Sequence, residues 1–193
     1  MARTVRTKVY KFNELSSTAQ SVAIECQRER ISTEFIYREA RETARAFKAV
    51  FGLRVGGRTF FDYEHSFSDD VLNLTGLRLR TYIINNYGSE LYQGKYYSKG
   101  DRSRHSRIIM DNSCVLTGMC YDNSILQPVY DLIHKYRAMG HDSMDIKDLM
   151  DDCFSSLQKT LDKEEEYMND DDHLIGEIEA NELEFYESGK IYA

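Results

Sequence analysis

Residues 33–67 read TEFIYREARETARAFKAVFGLRVGGRTFFDYEHSF, and a change of period inside this stretch decides the fold class. Its first half predicts a helix that begins near Ser32 or Thr33, with Ile36, Ala40, Ala44, Phe47 and Phe51 on one apolar stripe. Gly52 follows, a residue suited to the left-handed position just past a helix end. From Leu53 to Leu74 the period shortens. Tyr63, His65 and Phe67 alternate and Gly56-Gly57 offers a turn, which predicts two or three strands.

Upstream, Val5 to Phe12 has the β-branched and aromatic alternation of an opening strand. Asn13 to Ser17 then supplies cap residues for a helix with Ala19, Val22, Ala23 and Cys26 on its stripe, expected to pack antiparallel to the next helix. Downstream, Leu79, Tyr82, Ile83 and Asn86 suggest a short helix closing at Gly88. Arg107 to Met110 and Cys114 to Met119 are candidate strands around the turn-like Asp111-Asn112-Ser113. Asn123 or Ser124 caps a helix whose buried stripe is Ile125, Val129, Leu132, Ile133 and Tyr136, with Pro128 expected near its first turn. A long helix from about Asp145 carries Ile146, Leu149, Met150, Cys153, Leu157 and Leu161, and a hairpin joins Leu183–Tyr186 to Lys190–Tyr192.

This order reads as α+β, a mainly antiparallel sheet with packed helices and a helical, acidic C-terminal part ending in a short hairpin. A single proline and 11 glycines mark no linker, so residues 1–193 are expected to form one domain, with 141–193 as an acidic helical appendage. Four scattered cysteines suggest reduced thiols, and neither a secretory leader nor a membrane-crossing run is expected. The expected location is the cytoplasm of a bacterial host cell.

Charge is segregated along the chain. Residues 1–110 hold 19 Lys+Arg against 12 Asp+Glu, whereas residues 111–193 hold 6 against 20. A surface of one sign concentrates partners of the other, so a charged partner is expected. Two clusters are candidates. Lys95, Tyr96, Tyr97, Lys99, Arg102, Arg104 and Arg107 combine cations with aromatic faces, which suits single-stranded nucleic acid and equally suits a solvated basic loop. Glu164, Glu165, Glu166, Asp170, Asp171 and Asp172 can imitate a phosphate backbone in front of a basic protein groove, or simply form a solvated helix end.

Asp170-Asp171-Asp172 lacks the alternating ligands, glycine and bidentate glutamate of a calcium loop. With no C-x-x-C or H-x-x-x-H, a zinc site is not expected, and Cys114 and Cys120 read as small core residues. Phosphate loops, dinucleotide fingerprints and the G-x-S-x-G nucleophile motif are also missing, so no catalytic residue, cofactor or metal is assigned and an enzyme is not the expectation.

Three segments carry a resemblance: Val9-Tyr10-Lys11-Phe12-Asn13-Glu14-Leu15-Ser16, then Cys114-Val115-Leu116-Thr117-Gly118 with Asp122 to Tyr130, and last Asn181-Glu182-Leu183-Glu184-Phe185 with Gly189-Lys190-Ile191-Tyr192. Together they resemble a family of small phage and prophage proteins of largely unknown function, many of them labelled antitoxins of toxin–antitoxin systems. The resemblance supplies no active-site residues. It implies an accessory role in phage biology: a non-enzymatic inhibitor or regulator that binds a host nucleic-acid-handling protein, most concretely a CRISPR–Cas effector nuclease. The alternative is a nucleic-acid-binding or antitoxin-like regulator working through residues 92–107, and the third is an unrecognised enzyme.

Overall fold

The structure, a computed structural model, describes residues 7–92, 97–98, 101–104, 114–135 and 143–192. The chain forms two compact units, the first built from residues 1–33 and 162–193 and the second from residues 34–161. The segment 141–193, expected as one appendage, is therefore shared between them.

In the first unit, among the described residues of the expected opening strand, Tyr10 forms a single bridge to Phe185, followed by a 3-10 turn over Phe12–Glu14. Ser16 caps helix α1 (Ser17–Arg28) by accepting the Ala19 N–H. The expected stripe is half right: Ala19 and Ala23 are buried, whereas Val22 is exposed. Leu15, Ala19, Ala23, Ile178 and Phe185 form the small core, with Tyr10, Phe12, Leu183 and Ile191 packed against it. The closing hairpin is present as a Phe185 to Ile191 bridge. At its turn Gly189 has φ +85°, and a Cβ there would stand 2.1 Å from the Ala19 carbonyl oxygen. Only glycine lets the hairpin press this closely on α1.

The second unit opens with α2 (Glu34–Phe51), on which Ile36, Ala40, Ala44, Phe47 and Phe51 are all buried and after which Gly52 has φ +65°. Helices α1 and α2 belong to different units. Phe47 and Phe51 pack with tilted rings 4.6 Å apart and are at most 1% exposed, each burial contributing about 2–3 kcal/mol. Beyond Gly52 the sheet is much smaller than expected. Strands β1 (Arg54–Val55) and β2 (Tyr63–Glu64) pair antiparallel as Arg54–Glu64 and Val55–Tyr63, and the chain then turns into α3 (Asp69–Leu72). Helix α4 (Gly76–Leu91) runs past Gly88, which is buried within it. Burial of Leu91 and Tyr92 outweighs the ~1 kcal/mol that an interior glycine costs.

Strands β3 (Tyr97–Ser98) and β4 (Asp101–Arg104) form a second antiparallel pair. The fold is thus mostly helical with two small antiparallel pairs among the described residues; α+β holds, a mainly sheet architecture does not. The candidate strand 107–110 lies outside the described residues. Cys114 to Met119 is a loop, with Cys114 at φ +62° and Gly118 at φ +88°.

The cause sits just after it. Asp122, fully buried, accepts the N–H groups of Leu116 (2.8 Å), Thr117 (2.6 Å) and Gly118 (3.1 Å), which leaves them unavailable for a ladder. Helix α5 (Tyr121–His134) starts earlier than expected, so Pro128 lies two turns inside it and removes the N–H that would meet the Ser124 carbonyl. Ile125, Val129, Leu132 and Ile133 are buried as predicted; Tyr136 lies outside the described residues. Asp145 caps α6 (Ile146–Met168) by accepting the Lys147 and Asp148 N–H groups. Its stripe is buried through Leu161, where the second unit ends, and α7 (Asp171–Ala180) belongs to the first.

Candidate functional site

Assigned to the two units, the charges separate differently from the way they separate along the sequence. The first unit holds 8 Lys+Arg against 15 Asp+Glu, and the second holds 17 of each. The whole formal charge of −7 therefore belongs to the first unit.

Its acidic run does not act as one row of free carboxylates. Asp170 is the N-cap of α7 and accepts from the Asp172 and His173 N–H groups at 3.1 and 3.3 Å. Asp171 is ion-paired to Arg28, whose guanidinium also donates to the Asn169 carbonyl at 3.4 Å and pairs with Glu25. Glu164 and Glu165 are half-buried on α6, whereas Glu166 and Asp172 are exposed. Glu177, Glu179 and Glu182, which sequence reasoning did not single out, are exposed as well. Their signal was available: Glu177 and Glu179 lie on α7 away from its buried Leu174 and Ile178.

Of the basic stretch, Lys95, Tyr96, Lys99 and Arg107 lie outside the described residues. Tyr97 belongs to β3, Arg102 and Arg104 belong to β4, and the backbone register sets Tyr97 opposite Arg104.

The second unit contains a cleft that the sequence did not suggest, about 470 Å³ in volume. Arg41, Arg45 and Lys48 reach it from α2, and Arg58 and Phe60 from the loop between β1 and β2. That loop is held from both sides. The Asp62 carboxylate accepts the Arg58 and Thr59 N–H groups at 2.8 and 2.7 Å, and these bonds, Thr59's first, hold its carboxyl below the usual carboxylate range. Lys48, 5% exposed, donates to the carbonyls of Phe60 (2.9 Å) and Asp62 (2.6 Å). Burial pushes its ammonium below the ordinary lysine pKa.

Across the same unit Tyr63 stacks on Phe154 at 5.2 Å and donates to Asp151 at 2.6 Å; burial, then this bond, pushes its hydroxyl well above the ordinary tyrosine value. His65 stacks on Phe67, and its buried Nδ1 has no hydrogen-bond partner among the described residues.

Among the described residues no three or more His, Cys, Asp or Glu side chains converge as metal ligands. No described helix is long and apolar enough to cross a membrane. No family model matches the chain, and the searches of curated proteins and solved structures return no match.

Proposed function

We propose that the chain is a phage-derived, non-enzymatic binding protein: an inhibitor or regulator whose acidic first unit docks on the basic surface of a host nucleic-acid-handling protein in the bacterial cytoplasm, most concretely a CRISPR–Cas effector nuclease. One observation carries this reading, the confinement of the net charge to a single unit. A compact body of one sign steers encounter with a basic groove and fixes register once there. Glu166, Asp172, Glu177 and Glu179 are exposed and, apart from the bond that Glu177 accepts from the Asn181 amide, carry none of the capping or pairing duties of Asp170 and Asp171, so they are the carboxylates offered to the partner.

Affinity capture from a nuclease-treated bacterial lysate tests it, run with the wild type and with a variant carrying Gln or Asn at those four positions. A nucleic-acid-handling protein enriched by the wild type and depleted by the variant is the expected result. Equal capture by both removes acidic docking.

A further inference from the structure

We propose that the cleft of the second unit is a binding site for a small organic anion, a carboxylate or phosphate carried on an apolar body of one or two rings. The cations come from two directions. Arg41, Arg45 and Lys48 follow one another at helical spacing on α2, and Arg58 joins them from the β1–β2 loop. Glu42 pairs with Arg45, but Arg41, Lys48 and Arg58 make no ion pair among the described residues. Lys48 is already satisfied, by the Phe60 and Asp62 carbonyls and by the Phe154 ring 5.4 Å from its ammonium, so the exposed Arg41 and Arg58, without an ion pair among the described residues, are the cations open to a ligand.

Apart from Thr59, the remainder of the lining offers no polar side chain, and Leu53, Phe60 and Val55, the last 77% exposed, are its apolar walls. A cleft of about 470 Å³ falls in the size range of small-molecule sites, and cations converging beside apolar walls select a ligand that has both parts. Arginine forks grip carboxylate and phosphate oxygens in pairs. The rim is formed before any ligand arrives, since Asp62 and Lys48 fix the loop and Gly57, at φ +65°, sits where a Cβ would come within 2.7 Å of three Asp62 side-chain atoms.

The test is calorimetric titration of the full chain with 2-naphthyl phosphate and 2-naphthoate, against inorganic phosphate and 2-naphthol as the separate halves. One saturable site is expected, filled by at least one of the two aryl anions about tenfold more tightly than by either half. The better binder names the charged end. Arg41→Gln with Arg58→Gln should weaken that binding about tenfold, and Val55→Asp should weaken it too. These side chains are exposed, so an unchanged thermal unfolding midpoint separates loss of the site from loss of the fold. Absence of saturable binding by both aryl anions, inorganic phosphate binding as tightly as the better of them, or undiminished binding by a folded Arg41→Gln, Arg58→Gln variant overturns the proposal.

Discussion

Thr43 on α2 donates its hydroxyl to Asp122 Oδ1 at 3.1 Å, so a helix and a loop far apart in sequence share one fully buried carboxylate. Thr117 supplies a second hydroxyl at 2.7 Å, and three backbone N–H groups complete the set on Oδ2. Asp122→Ala strands one buried and several half-buried donors at once and should cost about 3 kcal/mol or more, whereas Thr43→Val removes one bond and should cost about 1 kcal/mol. Because both act on the same network, the double variant should fall short of their sum. Urea unfolding of the three variants measures all three quantities.

In the first unit the sensitive position is Gly189. Gly189→Ala forces a Cβ into the Ala19 carbonyl and places a side chain at φ +85°, for a cost of about 2 kcal/mol or more. Hydrogen exchange should show faster exchange in α1, α7 and the closing hairpin. Unchanged protection there would mean that the hairpin does not press on α1.

Alkaline stability should depend on Tyr63. Its folded pKa is raised above the unfolded value of 10.0, so the unfolded chain loses this proton first and stability falls as the pH rises beyond 10.0. Tyr63→Phe should cost about 1 kcal/mol at neutral pH through the lost bond to Asp151. In exchange its alkaline decline should be shallower than that of the wild type. Denaturant melts across neutral and alkaline pH compare the two slopes.

The proposed acidic docking gives residues 92–107 no role in binding the target. The wild type should then show no saturable affinity for single-stranded DNA at low salt, and Arg102→Ala, Arg104→Ala and Arg107→Ala together should leave capture of the protein target unchanged. Fluorescence anisotropy over a salt series decides this. Binding whose salt slope drops by about 0.7 per phosphate contact removed in the triple variant would make the basic stretch the working surface instead.

Helices were legible where an apolar stripe and its caps coincide, as in α2 with Gly52 and α6 with Asp145. Strands were not, for a reason common to two of the failures. After Gly52 the alternation of Tyr63, His65 and Phe67 suggests a sheet, yet the Leu53 N–H that would face His65 is taken by the Lys48 carbonyl and Phe51, which would face Phe67, is still helical, so pairing stops after two residues. Asp122 likewise takes the N–H groups of 116–118. Backbone N–H groups bonded elsewhere leave no trace in hydrophobic period. The acidic run was visible as composition, but the duties of Asp170 and Asp171 depend on where α7 begins and where Arg28 lies. Arg41, Arg45 and Lys48 stand at readable spacing; what could not be read is that a loop would bring Arg58 to them.

Because the first unit is assembled from two distant parts of the chain, it can form only after the whole of the second has been synthesised. Residues 34–161 leave the ribosome as one continuous stretch and can fold while translation proceeds. Lys11, by contrast, waits for a carbonyl 171 residues later, that of Glu182, before its ammonium finds its bond. Until then α1 has no Ile178 or Phe185 to cover it. A message or chain cut short after the second unit would leave a folded body carrying as many cations as anions, without the charge on which the proposed docking relies.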